Sequence, residues 1–327
     1  MRIGSLFLVV VLGCSGAETL REPERKLDFE ALAAVYPNAT QEKSFVARDG
    51  TELPFRYYDG RASVGLILLH GSAAHSIYLS EMASAIAAAG VANVYTPDLR
   101  GHGRNPERRG DIDYTSQLED DISDLIGYIR QRDSEAAVIL GGHSSGGGLA
   151  IRVAGGDNLL RPDGYLLLAP FLQHDAPTMR PQAGGWAHPQ IPKIILLTLL
   201  NQVGITAFND ATVLEFDLPA ARRSGLETLS YTYRLMNGFA PRDYRSDLRA
   251  MCEPALVLVG RNDSAFHSDQ FEPIFGELAP HARVELVPGV GHLELVAEPK
   301  VYATVVSWLR DLPTQRLTSR CSAPPRA

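Results

Sequence analysis

Residues 139–148 read Ile-Leu-Gly-Gly-His-Ser144-Ser-Gly-Gly-Gly, and no other stretch of the chain narrows the possible folds as much. A β-rich run (Ala136, Val138, Ile139, Leu140) ends in Gly142-His143-Ser144-Ser145-Gly146, and a helical pattern begins at once. This is a Gly-x-Ser-x-Gly elbow, in which strand, sharp turn and helix follow one another directly. Such a turn brings backbones into contact and strains the serine, so the positions two residues away cannot carry bulk. A helix starting just behind Ser144 also aims unpaired N–H groups and a partial positive charge at an oxyanion formed there. The bland alternative is a serine that merely caps a helix. Two loops later in the chain weigh against it.

The rest of the pattern supplies the sheet that such an elbow needs. From about residue 43 the order is two strands and then strand–helix alternation, which implies a mostly parallel sheet covered on both faces. Residues 44–47 and 53–58 flank Asp49-Gly50, a hairpin turn pair. Residues 65–69 form a buried strand ending at His70-Gly71, and 78–89 an Ala-rich helix stopped by Gly90. A strand at 91–95 follows, then a helix over 113–130 with Leu118, Ile122, Leu125, Ile126 and Ile129 on one stripe. Strands at 165–169, 255–260 and 284–287 and a helix at 300–312 complete the alternation.

Between Phe171 and Arg249 the alternation breaks, over a length too great for a plain loop. It carries the apolar run 194–200 and a second helical run near 226–236, and reads as a helical lid inserted after the sixth strand. The apolar run either meets lipid or an acyl chain, or packs on the core.

A serine hydroxyl is a poor nucleophile without a base, and the base needs an orienting carboxylate. On a sheet of this kind the partners follow in the order Ser, Asp, His, each on a loop after a later strand. Gly260-Arg261-Asn262-Asp263 ends one such strand, and Gly289-Val290-Gly291-His292 the next. Asp263 and His292 are therefore expected beside Ser144, at the face where α/β sheets bind ligands. Asp269 competes with Asp263 but lies at the start of a helix, as a cap or dipole partner. His267 and His281 compete with His292 and are expected to be exposed. One oxyanion donor should be the N–H of Ser145 and the other should come from the loop 70–73.

The span from about Lys43 to Leu312 resembles the α/β-hydrolase superfamily, and within it the monoacylglycerol lipase/lysophospholipase branch, of the serine aminopeptidase S33 type. The resemblance rests on His70-Gly71-Ser72, Pro97-Asp98-Leu99-Arg100-Gly101-His102-Gly103, Gly142-His143-Ser144-Ser145-Gly146, Gly260-Arg261-Asn262-Asp263 and Gly291-His292. Asn105 stands where the branch commonly has a serine after the Arg-Gly-His-Gly turn. The resemblance implies an α/β-hydrolase fold with a mostly parallel eight-stranded sheet and helices on both faces. It implies Ser144, Asp263 and His292 as nucleophile, acid and base, with Ser72 N–H as the second oxyanion donor. The expected activity is hydrolysis of a carboxylic ester, lipid-like as in a monoglyceride or lysophospholipid. A thioesterase or peptidase with the same triad stays open, as does a lipoprotein that binds an acyl ligand without turnover.

Composition bounds the partners. A net charge of −7, with no basic stripe interleaved with aromatics, argues against nucleic acid. The cluster Arg100, Arg104, Arg108, Arg109 reads as a solvated loop. His70, His102 and His143 read as packed or hydrogen-bonded residues. No His/Cys/Asp group has metal-ligand spacing, so neither a metal nor another cofactor is expected.

Residues 1–13 form a signal peptide: a positive start, then an apolar run at 3–12 too short to span a bilayer. Val11-Leu12-Gly13-Cys14 resembles a bacterial lipobox, which implies lipidation of Cys14 and an exported, membrane-anchored protein. An ordinary secretory signal ending in Cys, or a weak N-terminal anchor, is the alternative. Residues 14–42 are expected as a tether, 43–313 as the hydrolase domain with its lid at about 172–249, and 314–327 as a tail. Cys252 and Cys321 either pair in an oxidising compartment or stand as one buried thiol and one tail thiol.

Overall fold

The computed structural model describes residues 27–29, 41–104, 106–157, 160–180 and 185–312. The signal segment, Cys14, most of the tether, Cys321 and the tail lie outside them. Cys252 is disulfide-bonded, and both other cysteines fall outside the described residues.

An eight-stranded sheet forms the centre. Its strands are β1 (Gln41–Val46), β2 (Glu52–Tyr58), β3 (Val64–Leu69), β4 (Asn93–Pro97), β5 (Ala137–His143), β6 (Gly164–Leu168) and, after an insertion, β10 (Ala255–Gly260) and β11 (Arg283–Val287). The spatial order is β1-β2-β4-β3-β5-β6-β10-β11. Only β2 runs against its neighbours, pairing antiparallel with both β1 and β4. The β1–β2 hairpin turns at Asp49-Gly50, where Gly50 adopts φ +85°.

The central strands are buried throughout, as continuous apolar runs in a two-sided sheet must be. Leu66, Ile67, Leu68 and Leu69 are each fully buried, and each such side chain contributes about 1.5–3 kcal/mol relative to exposure. Helices α1 (Ser80–Ala88) and α8 (Pro299–Asp311) pack together, while α3 (Ser145–Ala154) packs on α2 (Gln117–Arg132). The α2 stripe is buried as its spacing implies. The helix starts four residues later than expected, because the Gln117 side chain accepts the Asp113 N–H at 2.6 Å and closes a turn ahead of it.

The insertion does follow β6, but it is not helical throughout. It contains β7 (Ala187–Pro189), α4 (Ile191–Gln202), β8 (Thr212–Phe216), β9 (Ser230–Thr232), α5 (Tyr233–Phe239) and α6 (Tyr244–Ala250), the strands forming an antiparallel sheet β7-β8-β9. Of the helix expected near 226–236, only the end from Tyr233 is helical, and it is preceded by β9. That strand pairs with β8, and Thr232 then caps α5 by accepting the Leu235 N–H.

On α4 the apolar run divides. Leu197 is buried, whereas Ile195, Leu196 and Leu199 are more than half exposed, as are Ile191, Val203 and Phe208 nearby. No described helix is long and apolar enough to cross a membrane.

Arg104, Arg108 and Arg109 are exposed on a loop, as the solvated-loop reading expects, with Arg109 also donating to the carbonyls of Gly103 and Leu226, while Arg100 is half-buried and pairs with Asp121 and Asp49. One further expectation changes. Residues 27–29, assigned to the tether, pack on the domain, where Leu27 is buried.

Candidate active site

Ser144 ends β5 and opens α3 in a left-handed conformation, φ +55°, a strained position for any side chain. The flanking glycines follow from contact. A Cβ on Gly142 would lie 2.2 Å from the Gly146 carbonyl carbon, and one on Gly146 would lie 2.5 Å from the His70 carbonyl oxygen. The backbone is held from both sides: Ser144 N–H donates to Leu168 O, and Ser144 O accepts from Gly148 and Phe171.

Asp263 and His292 leave the ends of β10 and β11, which pair in parallel, and the two side chains meet. His292 Nδ1 donates to Asp263 Oδ2 at 2.8 Å. Asp263 is fully buried, and its other oxygen accepts the N–H groups of Ala265 and Phe266, each at 2.8 Å. With Nδ1–H engaged, His292 keeps Nε2 as its basic nitrogen. His292 and Ser144 line one cavity of about 330 Å³. The competitors sit elsewhere: Asp269 and His281 are exposed, and His267 is half-buried.

The residue between the first glycine and the serine has its own task. His143 is buried and held well below the ordinary histidine range by desolvation, with the neighbouring His292 adding to the effect. Being neutral, it donates Nε2–H to the carbonyl of His292 at 3.0 Å and accepts from Tyr78 Oη at Nδ1, also at 3.0 Å. Tyr78 Oη in turn accepts the Gly71 N–H at 2.8 Å. One imidazole and one phenol thus connect the elbow, the histidine loop and the loop after β3.

That last loop contains Ser72. Its neighbour Ala73, at φ +59°, donates N–H to Tyr231 Oη at 2.7 Å and accepts from Thr228 N–H. Tyr231 Oη donates to His102 Nε2 at 2.7 Å, and His102 donates Nδ1–H to Arg100 O. His70 donates Nδ1–H to Gly71 O and accepts the Leu99 N–H. Burial lowers its pKa to about 4. The backbone amides on both sides of Ser72 are therefore committed, while the Ser72 N–H has no acceptor among the described residues. Ser145 N–H begins α3 and has no preceding turn to bond. The hydroxyls of Ser72 and Ser145 are 2.6 Å apart. Two unspent amides, on loops joined side chain to side chain, are what an oxyanion requires.

The remaining cavity wall was not legible in the sequence. Trp186 and Leu218 of the insertion contribute to it, as do Leu27 and Phe29, and Glu227 and His75 add polar groups. His75 is buried with Nδ1 unbonded, and its Nε2 lies 3.7 Å from Glu227 Oε1. Burial lowers its pKa. A histidine five residues after His70 was a visible mark, but nothing local marked Tyr78 or Tyr231. Among the described residues no group of His, Cys, Asp and Glu is arranged to hold a metal ion.

A sequence model of the family described as serine aminopeptidase, S33, matches residues 61–300. Among solved structures the chain is similar to a monoacylglycerol lipase of Paleococcus ferrophilus, with 21% identity and a TM-score of 0.58 over 79% of this chain and 98% of the other. A soluble variant of monoglyceride lipase from Saccharomyces cerevisiae gives 17% and 0.60 over 84% and 98%. The α/β hydrolase GrgF of Penicillium sp. sh18 gives 18% and 0.63 over 83% and 98%. At such identities the likeness is one of fold.

Proposed function

This chain belongs to the serine aminopeptidase S33 family of α/β hydrolases, and from that premise we propose that it cleaves the carboxylic ester of a lipid-like substrate through an acyl-enzyme. The observation that carries the reading is the Asp263–His292 bond, which fixes the tautomer and leaves Nε2 free in the cavity of Ser144. Ser144 Oγ attacks the ester carbonyl as His292 Nε2 takes its proton. Asp263 stabilises the imidazolium, and the Ser72 and Ser145 amides receive the negative oxygen. The alcohol leaves with the proton from His292, and water then repeats the sequence on the acyl-enzyme.

A lipid-like ester suits the apolar walls from Trp186, Leu218 and Leu293. Two structural neighbours are monoglyceride lipases, which points the same way. The exposed apolar face of α4 suits work at a lipid surface, in keeping with an exported chain anchored through Cys14.

Labelling with an alkyl fluorophosphonate tests the chemistry. Wild-type protein is expected to be labelled and Ser144→Ala not, and an unlabelled wild type refutes the hydrolase reading. Matched ester, thioester and amide substrates then rank the bond cleaved, faster amide turnover favouring the peptidase that the family description names. The anchor is tested by the mass of the mature N-terminus: residues retained ahead of Cys14, or membrane association unchanged in Cys14→Ser, exclude it.

A further inference from the structure

We infer that Leu27 and Phe29, which precede the hydrolase domain, form a wall of the acyl pocket and set which chain lengths this enzyme accepts. The inference rests on the hydrolase reading of Ser144 and adds to it the source of its selectivity. The family match begins at residue 61, yet both residues line the cavity that contains Ser144 and His292. Leu27 is 7% exposed. Phe29 meets Trp186 edge to face, with ring centroids 6.0 Å apart.

The contact does not end at Trp186. Its ring stacks on Phe216 at 4.8 Å, and Phe216 meets Tyr231 edge to face at 4.8 Å. Tyr231 Oη accepts the N–H of Ala73, next to the proposed oxyanion donor Ser72. An unbroken file of aromatic rings therefore joins the N-terminal segment, through the insertion, to the loop after β3. Aromatic rings packed in this way are stiff, bulky walls. A substrate chain reaching Leu27 and Phe29 buries its methylenes against them, and a shorter chain does not. Leu27 and Phe29 lie ahead of the span that the family model matches, so this part of the wall is supplied by the chain's own leading segment.

The test uses full-length protein and a series of alkyl fluorophosphonates from ethyl to dodecyl, with the second-order rate of Ser144 labelling as the readout. In the wild type each methylene that reaches the wall is expected to raise the rate by up to about fourfold, the value of burying one CH₂. Leu27→Ala and Phe29→Ala are expected to lose the long-chain gain, about tenfold in all, read as the ratio of the dodecyl to the ethyl rate within each variant. Phe29→Trp, which keeps an aromatic contact and adds bulk, is expected to move the optimum to shorter chains. Thermal unfolding shows whether each variant is folded, and Phe29→Trp decides the matter should an alanine variant fail to fold. Chain-length profiles parallel to wild type in the folded variants overturn the inference. A wild type that no probe labels overturns the hydrolase reading instead.

Discussion

The hydroxyl of Ser72 lies 2.6 Å from that of Ser145, so the loop after β3 and the first turn of α3 are fastened to each other by the side chains of the two proposed oxyanion donors. Their amides do the proposed stabilisation, and their hydroxyls hold those amides in register. Ser72→Ala and Ser145→Ala are each expected to lower kcat about fivefold, the value of one hydrogen bond near 1 kcal/mol. The double variant is expected to be no slower than the slower single one, because both remove the same bond. Steady-state kinetics on one ester, arranged as a double-mutant cycle, checks this; multiplicative losses contradict it.

Asp263→Asn keeps the shape of the acid and removes its charge. The amide keeps its oxygen for the Ala265 and Phe266 N–H groups and turns its NH2 toward His292, where Asp263 Oδ2 now accepts, and the imidazole is released to the other tautomer. A fall in kcat of about 10⁴-fold is the scale for such a replacement in a serine triad. A folded variant with kcat within tenfold of wild type would remove Asp263 from the proposed role.

Burial holds four imidazoles neutral. His70 is lowered to about 4, and His75, His102 and His143 are shifted the same way. In the unfolded chain each binds a proton near pH 6.5. The stability they contribute is therefore complete above that pH and drains away as pH falls toward 4. Asp121 and Asp247, raised to about 6 by burial, have the opposite sign, since the folded chain takes up their protons first. Four groups against two leave a net loss, up to about 1.4 kcal/mol per pH unit for each uncompensated imidazole. Thermal unfolding should show a lower Tm at pH 5 than at pH 7; an equal or higher Tm at pH 5 is the contrary result.

Glu119 on α2 joins the helix behind the elbow to the insertion. One oxygen accepts from Arg152 Nε at 2.6 Å and the other from Arg242. Arg152 also donates to the carbonyls of Asn237 and Ala240. Glu119→Leu leaves the buried Arg152 guanidinium without its counter-charge, and a loss of about 3–5 kcal/mol is expected. Arg242, with its side chain 38% exposed, shares the carboxylate from the rim. Arg242→Met should cost about 1 kcal/mol or less. Urea unfolding of both variants checks the order, and equal costs would mean that the network is not organised around Arg152.

What could be read from the sequence follows the range of the forces involved. The elbow was legible because Gly142 and Gly146 answer to contacts a few residues away. Asp263 was legible because the buried parallel strand β10 announces its own C-terminal loop, and His292 because it stands on the loop after the next strand, β11. Tyr231 was not, since its hydroxyl meets Ala73 across 158 positions and a tyrosine in a three-residue strand carries no periodic mark. The strands of the insertion were missed for the same reason: β7 and β9 have three residues each, shorter than any alternation that can be recognised. Phe29 was missed because charged neighbours make its segment look like a solvated linker, and only its contact with Trp186 shows otherwise.

The order of the strands has a consequence for how the protein comes into being. β5, which carries Ser144, is synthesised early and finds its partner β3 already made, whereas Asp263 and His292 wait for β10 to dock beside β6. At ordinary rates of translation the interval is on the order of ten seconds. On the proposed reading the acid and the base are the last parts of the site to be made, so a chain cut short before β10 has the elbow sequence but no base to activate its serine.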